Sequence, residues 1–158
     1  VDVLTGSKQE IIARAPGQLD RPSVSPDGRW IAFRQTRGSL LKVFLAVIDP
    51  AHPSARDTWT EVDEPTVTGR PAGWSPDSTV AYLLLDTDGS RCLWGQRIDS
   101  ARMRVVGKPF PVRHFHAYAN AGLSTSLGNA INADGFLYEG QSQTGSLWRL
   151  LPASPASR

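Results

Sequence analysis

A single cysteine, Cys92, stands among the 158 residues, so no disulfide can form within the chain. That leaves the redox compartment open. Long hydrophobic runs are missing too: no stretch approaches the ~18 apolar residues that a helix needs to cross a bilayer. No signal-peptide pattern opens the sequence. The first residue is Val1 and the only methionine is Met103, so a piece of a longer protein is expected and the lack of a targeting segment says little about location. Charge of one sign is absent as well. The 17 Lys and Arg nearly balance the 15 Asp and Glu, which leaves a formal charge of +2 and no demand for a polyanionic partner. With 40% hydrophobic and 20% charged residues the chain has the make-up of a folded domain and not of a disordered one.

Catalytic motifs are equally scarce. There is no phosphate loop of the Gly-x-x-x-x-Gly-Lys type. The nearest match to a Gly-x-Ser-x-Gly nucleophile elbow is Gly73-Trp74-Ser75-Pro76-Asp77. Asp77 replaces its second glycine, and Pro76 forbids the helix that should follow. A turn is the better reading of those residues, and neither catalysis nor a cofactor is expected.

What the chain does contain is a repeat, which should be sought before any other feature. Ser25-Pro26-Asp27-Gly28 runs into Arg29-Trp30-Ile31-Ala32-Phe33, after Arg21-Pro22-Ser23-Val24. Arg70-Pro71-Ala72-Gly73-Trp74 and Ser75-Pro76-Asp77-Ser78, followed by Thr79-Val80-Ala81-Tyr82-Leu83, repeat the pattern, with the central aspartate shifted by 50 residues. Asn132-Ala133-Asp134-Gly135 before Phe136-Leu137-Tyr138 is a worn third copy without Ser-Pro. Proline presets φ at the first central turn position, aspartate bonds neighbouring amides, and glycine accepts a backbone that strains other residues. Each stretch therefore predicts a tight turn between two strands, with Ser25, Pro26, Asp27 and Gly28, and Ser75, Pro76 and Asp77, in structural roles. Trp30 to Phe33 has no polar face, which predicts a strand buried on both sides, in a sheet lying between two other layers.

The Ser-Pro-Asp-Gly turn, the Arg-Trp-Ile-Ala-Phe strand and Val47-Ile48-Asp49 resemble the WD40-like (PD40) repeat of TolB-type β-propellers, over nearly the whole chain. The resemblance implies an all-β fold, a partial, open propeller of four-stranded antiparallel blades, two of them full and two partial. The blades are expected at residues 1–17 (partial), 20–64, 68–116 and 120–151 (partial), before a mobile tail at 152–158. Strands are predicted over Val1–Leu4 and Gln9–Ala13, then at about 21–25, 29–35, 41–49 and 57–62. The ending from Lys108 to His116, with Gly145-Ser146-Leu147-Trp148, looks most like the closing blades of bacterial propellers joined to kinases or winged-helix regulators. The implied role is non-catalytic: protein interaction or ligand sensing, with a protein partner and with a periplasmic or extracytoplasmic location slightly favoured. The alternative is the non-catalytic propeller domain of a prolyl-oligopeptidase-type serine peptidase. Because repeat units need neighbours on both sides, self-association of the isolated stretch is expected.

Other side chains have plainer readings. His114 and His116 share a strand face and could ligate a metal, yet a closed zinc site needs four ligands, and His52 and Cys92 are the only others of their kind. Asp86-Thr87-Asp88-Gly89 opens like a calcium loop, but position 12 is Arg97, so a hairpin turn is expected. Arg97, Arg102, Arg104, Lys108 and Arg113 form a basic run that could touch phosphate; a solvated connection is the commoner explanation, and nucleic acid is not an expected partner. Trp30, Trp74, Trp94, Phe136 and Trp148 sit in strand patterns and are expected to be core.

Overall fold

The computed structural model describes residues 8–62, 69–86, 91–114, 129–132, 135–140 and 146–150. Two four-stranded antiparallel meanders follow one another. The first contains β1 (Gln18–Val24), β2 (Trp30–Arg37), β3 (Leu40–Val47) and β4 (Thr60–Glu61), hydrogen-bonded in chain order. The second contains β5 (Arg70–Trp74), β6 (Val80–Asp86), β7 (Arg91–Asp99) and β8 (Arg104–Arg113), again in chain order. A third sheet pairs β9 (Asn129–Asn132) with β10 (Gly135–Gly140) and β10 with β11 (Ser146–Leu150). The leading strands are neighbours in space: β1 lies beside β5, and β5 beside β9.

The all-apolar strand behaves as its sequence predicts. Side chains alternate across a strand, so Trp30 and Ala32 point to one side and Ile31 and Phe33 to the other, all four buried. Trp30 and Ala32, with Val43, Leu45 and Val62, meet Trp74, Ala81, Leu83, Leu85 and Ile98 of the second sheet in one shared core. On the opposite face Ile31 and Phe33 join Phe44, Ala46 and Trp59, covered by Ile11, Ile12 and Leu19. The rings of Phe33, Phe44 and Trp59 lie 4.8 to 6.0 Å apart, within the range where aromatic pairs add to simple burial. The first sheet is thus sandwiched between two apolar layers.

Each leading strand carries an irregularity just before its turn. In β1 the register shifts between Asp20 and Ser23, with Arg21 at φ +54°. In β5 it shifts between Pro71 and Gly73. Pro22, which cannot donate to the ladder, falls within the first bulge, whereas in β5 Pro71 still stands opposite Leu83 and the residue after it, Ala72, is the one skipped. Gly95 on β7 has a different reason: it faces Phe110 of β8, and a Cβ there would lie 2.6 Å from the ring. The phenyl group of Phe110 fills the place of the missing side chain.

Two expected strands come out differently. Gln9–Ala13 is no strand, and only Ile12 bridges to Ser54. The segment it meets is broken by Pro50 and Pro53, so backbone pairing is confined to Ser54 and its bonds with Ile11 and Ala13. The strand predicted at 57–62 shrinks to Thr60–Glu61 behind a 3₁₀ turn at Arg56–Thr58. Trp59 accounts for this: its ring turns into the aromatic cluster, and its indole N–H donates to Ser54 O at 3.1 Å. In the third copy Asn132 pairs directly with Gly135, a tighter connection than the first two. Val1–Leu4, the turn residues 87–90 and the tail at 152–158 lie outside the described residues.

Candidate functional site

The paired turns sit together at one end of the two sheets, and each is held by its own serine and aspartate. Ser25 Oγ donates to Asp27 Oδ1 at 2.6 Å and accepts from the Trp30 amide at 2.9 Å. Ser75 Oγ donates to Asp77 Oδ1 at 2.6 Å and accepts from the Val80 amide at 2.9 Å. The Gly28 and Ser78 amides close the turns onto Ser25 O and Ser75 O, both at 2.9 Å. Asp27 accepts from the Arg29 amide, and Asp77 from the Thr79 amide and hydroxyl. Ser75, the serine of the elbow-like sequence, is therefore buried and engaged on both sides by its own turn.

The carboxylates titrate accordingly. Ser75's hydroxyl, then the hydroxyl and amide of Thr79, hold Asp77 below the usual carboxylate range. For Asp27 burial pushes upward, but the donors at Ser25, Arg29 and Ser78 outweigh it and the net direction is also down. Charge held by local donors describes a turn brace; a general acid or base needs the opposite, a carboxyl tuned toward neutrality.

One contact was not legible in the sequence. Ser78, standing where the first copy has Gly28, adopts φ +59° and is buried. Its hydroxyl accepts the Asp27 amide at 3.1 Å and so joins the second turn to the first. The Trp74 indole N–H also crosses between the sheets, to Ser23 O at 3.0 Å. The only available signal was the departure from glycine at a position that favours a left-handed backbone.

The remaining candidates are scattered. His114 meets Trp94 edge-on at 6.0 Å, while His116 lies outside the described residues. His52 is exposed near Asp49, and Cys92 is buried in β7. Among the described residues no three His, Cys, Asp or Glu converge as metal ligands. The basic run divides: Arg102 and Arg104 both turn to Asp99, at 3.1 and 3.6 Å, and Arg97 stacks over Phe110 at 4.9 Å. Lys108 and Arg113 are exposed on the edge strand β8. Trp30 and Trp74 are core as expected and Trp94 is partly buried against it; Phe136 and Trp148 lie in β10 and β11. Among the described residues no helix is long and apolar enough to cross a membrane.

Sequence reasoning also passed over a cleft of about 180 Å³ at the opposite end of the first sheet, lined by Gln35, Arg37, Leu40, Lys42 and Arg56.

No family model matches the chain, and no curated protein does. Among solved structures it is similar to TolB from Acinetobacter baumannii, with 13% sequence identity and a TM-score of 0.45. The match covers 85% of this chain and 33% of the TolB chain. The chain thus spans about a third of that protein's length.

Proposed function

We propose that the chain is a stretch of an open β-propeller, its two four-stranded meanders being successive blades, and that it serves as a non-catalytic module for protein interaction or ligand sensing within a larger protein. The observation that carries this is the join between the meanders. Equivalent strands pack face to face through one core, equivalent leading strands lie side by side, and equivalent turns are bonded through Ser78 to the Asp27 amide. Stacking of this kind repeats around an axis in propellers, and it gathers the connections at one end into a surface carried by a rigid scaffold. Arg29, Asp27, Asp77, Thr79 and Arg102 are exposed there. No cofactor belongs to this reading, and in it the serines and aspartates of the elbow-like sequence act as turn braces. The resemblance of the turns to TolB-type repeats favours an extracytoplasmic setting and a protein partner.

The test uses the full-length protein and crosslinking to find what binds it. Charge reversal at the exposed Arg29 should abolish a specific crosslink while leaving the melting temperature close to the parent's. Heat-sensitive labelling of a single serine or of Cys92 by an activity-based hydrolase probe would sink the non-catalytic reading.

A further inference from the structure

The cleft at the far end of the first sheet is built by strand register. Phe33 pairs with Phe44, Gln35 with Lys42 and Arg37 with Leu40, and the two-residue period puts all six on one face of β2 and β3. The aromatic pair forms a buried floor, and the polar and cationic pairs rise beyond it toward the hairpin. Arg56 closes the side: its guanidinium carbon lies 4.4 Å above the Phe44 ring and 5.0 Å from that of Trp59. Stacking fixes the plane of an arginine while leaving its N–H edges free to bond.

The charge in this cleft is only partly answered. Lys42 is paired with Glu61 at 2.5 Å. Gln35 donates to Pro16 O at 2.8 Å. Arg37 and Arg56 form no ion pair among the described residues, and both are exposed. Leu40 stands beside them 62% exposed, the most exposed of the large apolar side chains described. The volume of about 180 Å³ is several times what one water occupies.

We propose that this cleft binds an acidic side chain of a peptide segment, whose carboxylate bonds to Arg37 and Arg56 and whose adjoining apolar residue rests on Leu40. The planar forks of two arginines suit a carboxylate. Leu40 favours a peptide over a small inorganic anion, which would gain nothing from an exposed leucine. The site lies at the opposite end of the strands from the paired turns and stands independently of them.

A dye-labelled, acetylated peptide of alternating Glu and Leu is titrated against the protein by fluorescence anisotropy, beside its Gln/Leu counterpart and with inorganic phosphate as competitor. The Glu peptide should bind, more weakly as salt rises, and the Gln peptide should not. Arg37→Gln should weaken binding at least about tenfold, the loss expected for one charge-assisted bond. Arg37 packs on no buried cluster, so the variant should melt like the parent; Arg56→Gln is the second variant, read only where its melt is also unchanged. Equal binding of both peptides, unchanged affinity in Arg37→Gln, or displacement by phosphate at matched concentration overturns the proposal. Charge reversal at Arg29 should leave this binding intact, so failure here and failure at the turn surface are separable.

Discussion

The two four-stranded sheets share a turn and differ on the faces that they do not share with each other. The first buries an aromatic trio, Phe33, Phe44 and Trp59, under a stacked Arg56. The second has Leu84 and Leu93 there among the described residues, with Ala72 and Tyr82 packed against them. Their outer edges differ as well. β4 is two residues long, whereas β8 is ten residues long, carries Pro109 and Pro111 and is bulged at two places against β7. A short edge and a bulged, proline-bearing edge are two ways of discouraging pairing with another chain. The contrast teaches that the repeat conserves what joins one sheet to the next, the turn and the shared core, and leaves the outer face and edge to be solved separately each time.

The largest expected effect breaks this contrast at the aromatic face. Phe44 is fully buried and its ring lies 5.8 and 6.0 Å from the other two of the trio. Phe44→Ala should destabilise by about 3–5 kcal/mol, since both transfer and cavity terms are lost. Leu84→Ala, on the unshared face of the second sheet, should fall nearer to about 2–3 kcal/mol. Urea unfolding of the two variants decides the matter, and equal losses would show that the aromatic cluster adds nothing beyond ordinary burial.

The next effect is smaller and concerns the residue after Ser-Pro-Asp, glycine in the first turn and serine in the second. Gly28 has φ +71° with open space where a side chain would go, so Gly28→Ser should cost only the left-handed backbone, about 1 kcal/mol. Ser78 bears that same strain, but its hydroxyl holds the Asp27 amide. Ser78→Ala keeps the strain and loses the bond, for about 1–2 kcal/mol. Ser78→Gly loses the bond and relieves the strain, so it should melt near the parent. If Ser78→Gly were the least stable of the three, the bond between the turns would matter far more than the backbone.

Much of this was legible because the turn chemistry is local. Ser-Pro-Asp fixes its own bonds within five residues, and the alternation of Trp30 to Phe33 announces a strand buried on both sides. What was hidden depends on partners distant in sequence. Gln9–Ala13 looked like a strand, but pairing needs a regular neighbour, and Pro50 and Pro53 deny it one. Trp59 read as part of an outer strand, although its ring is core. The Asp27–Ser78 contact spans 51 residues. The cleft escaped notice because Arg56 comes to Arg37 only through a 3₁₀ turn that no periodicity signals.

The smallest effect is common to both turns and is read by pH. Both Asp27 and Asp77 have carboxyls held below the ordinary value of 3.8 in the folded chain. A lowered folded value means that the ionised carboxylate favours the folded state. The stabilisation is complete well above 3.8 and is lost as pH falls through that value toward the lower folded one. At Asp77 the hydroxyl of Ser75 leads and burial is a lesser opposing influence, whereas at Asp27 the upward push of burial is the largest single influence and the donors must overcome it. Melting temperatures measured from pH 7 down to pH 3 should therefore show a shallower acid decline in Asp27→Asn and in Asp77→Asn than in the parent. A decline as steep as the parent's in either variant would mean that the donors of that turn do not hold its carboxylate in the ionised form.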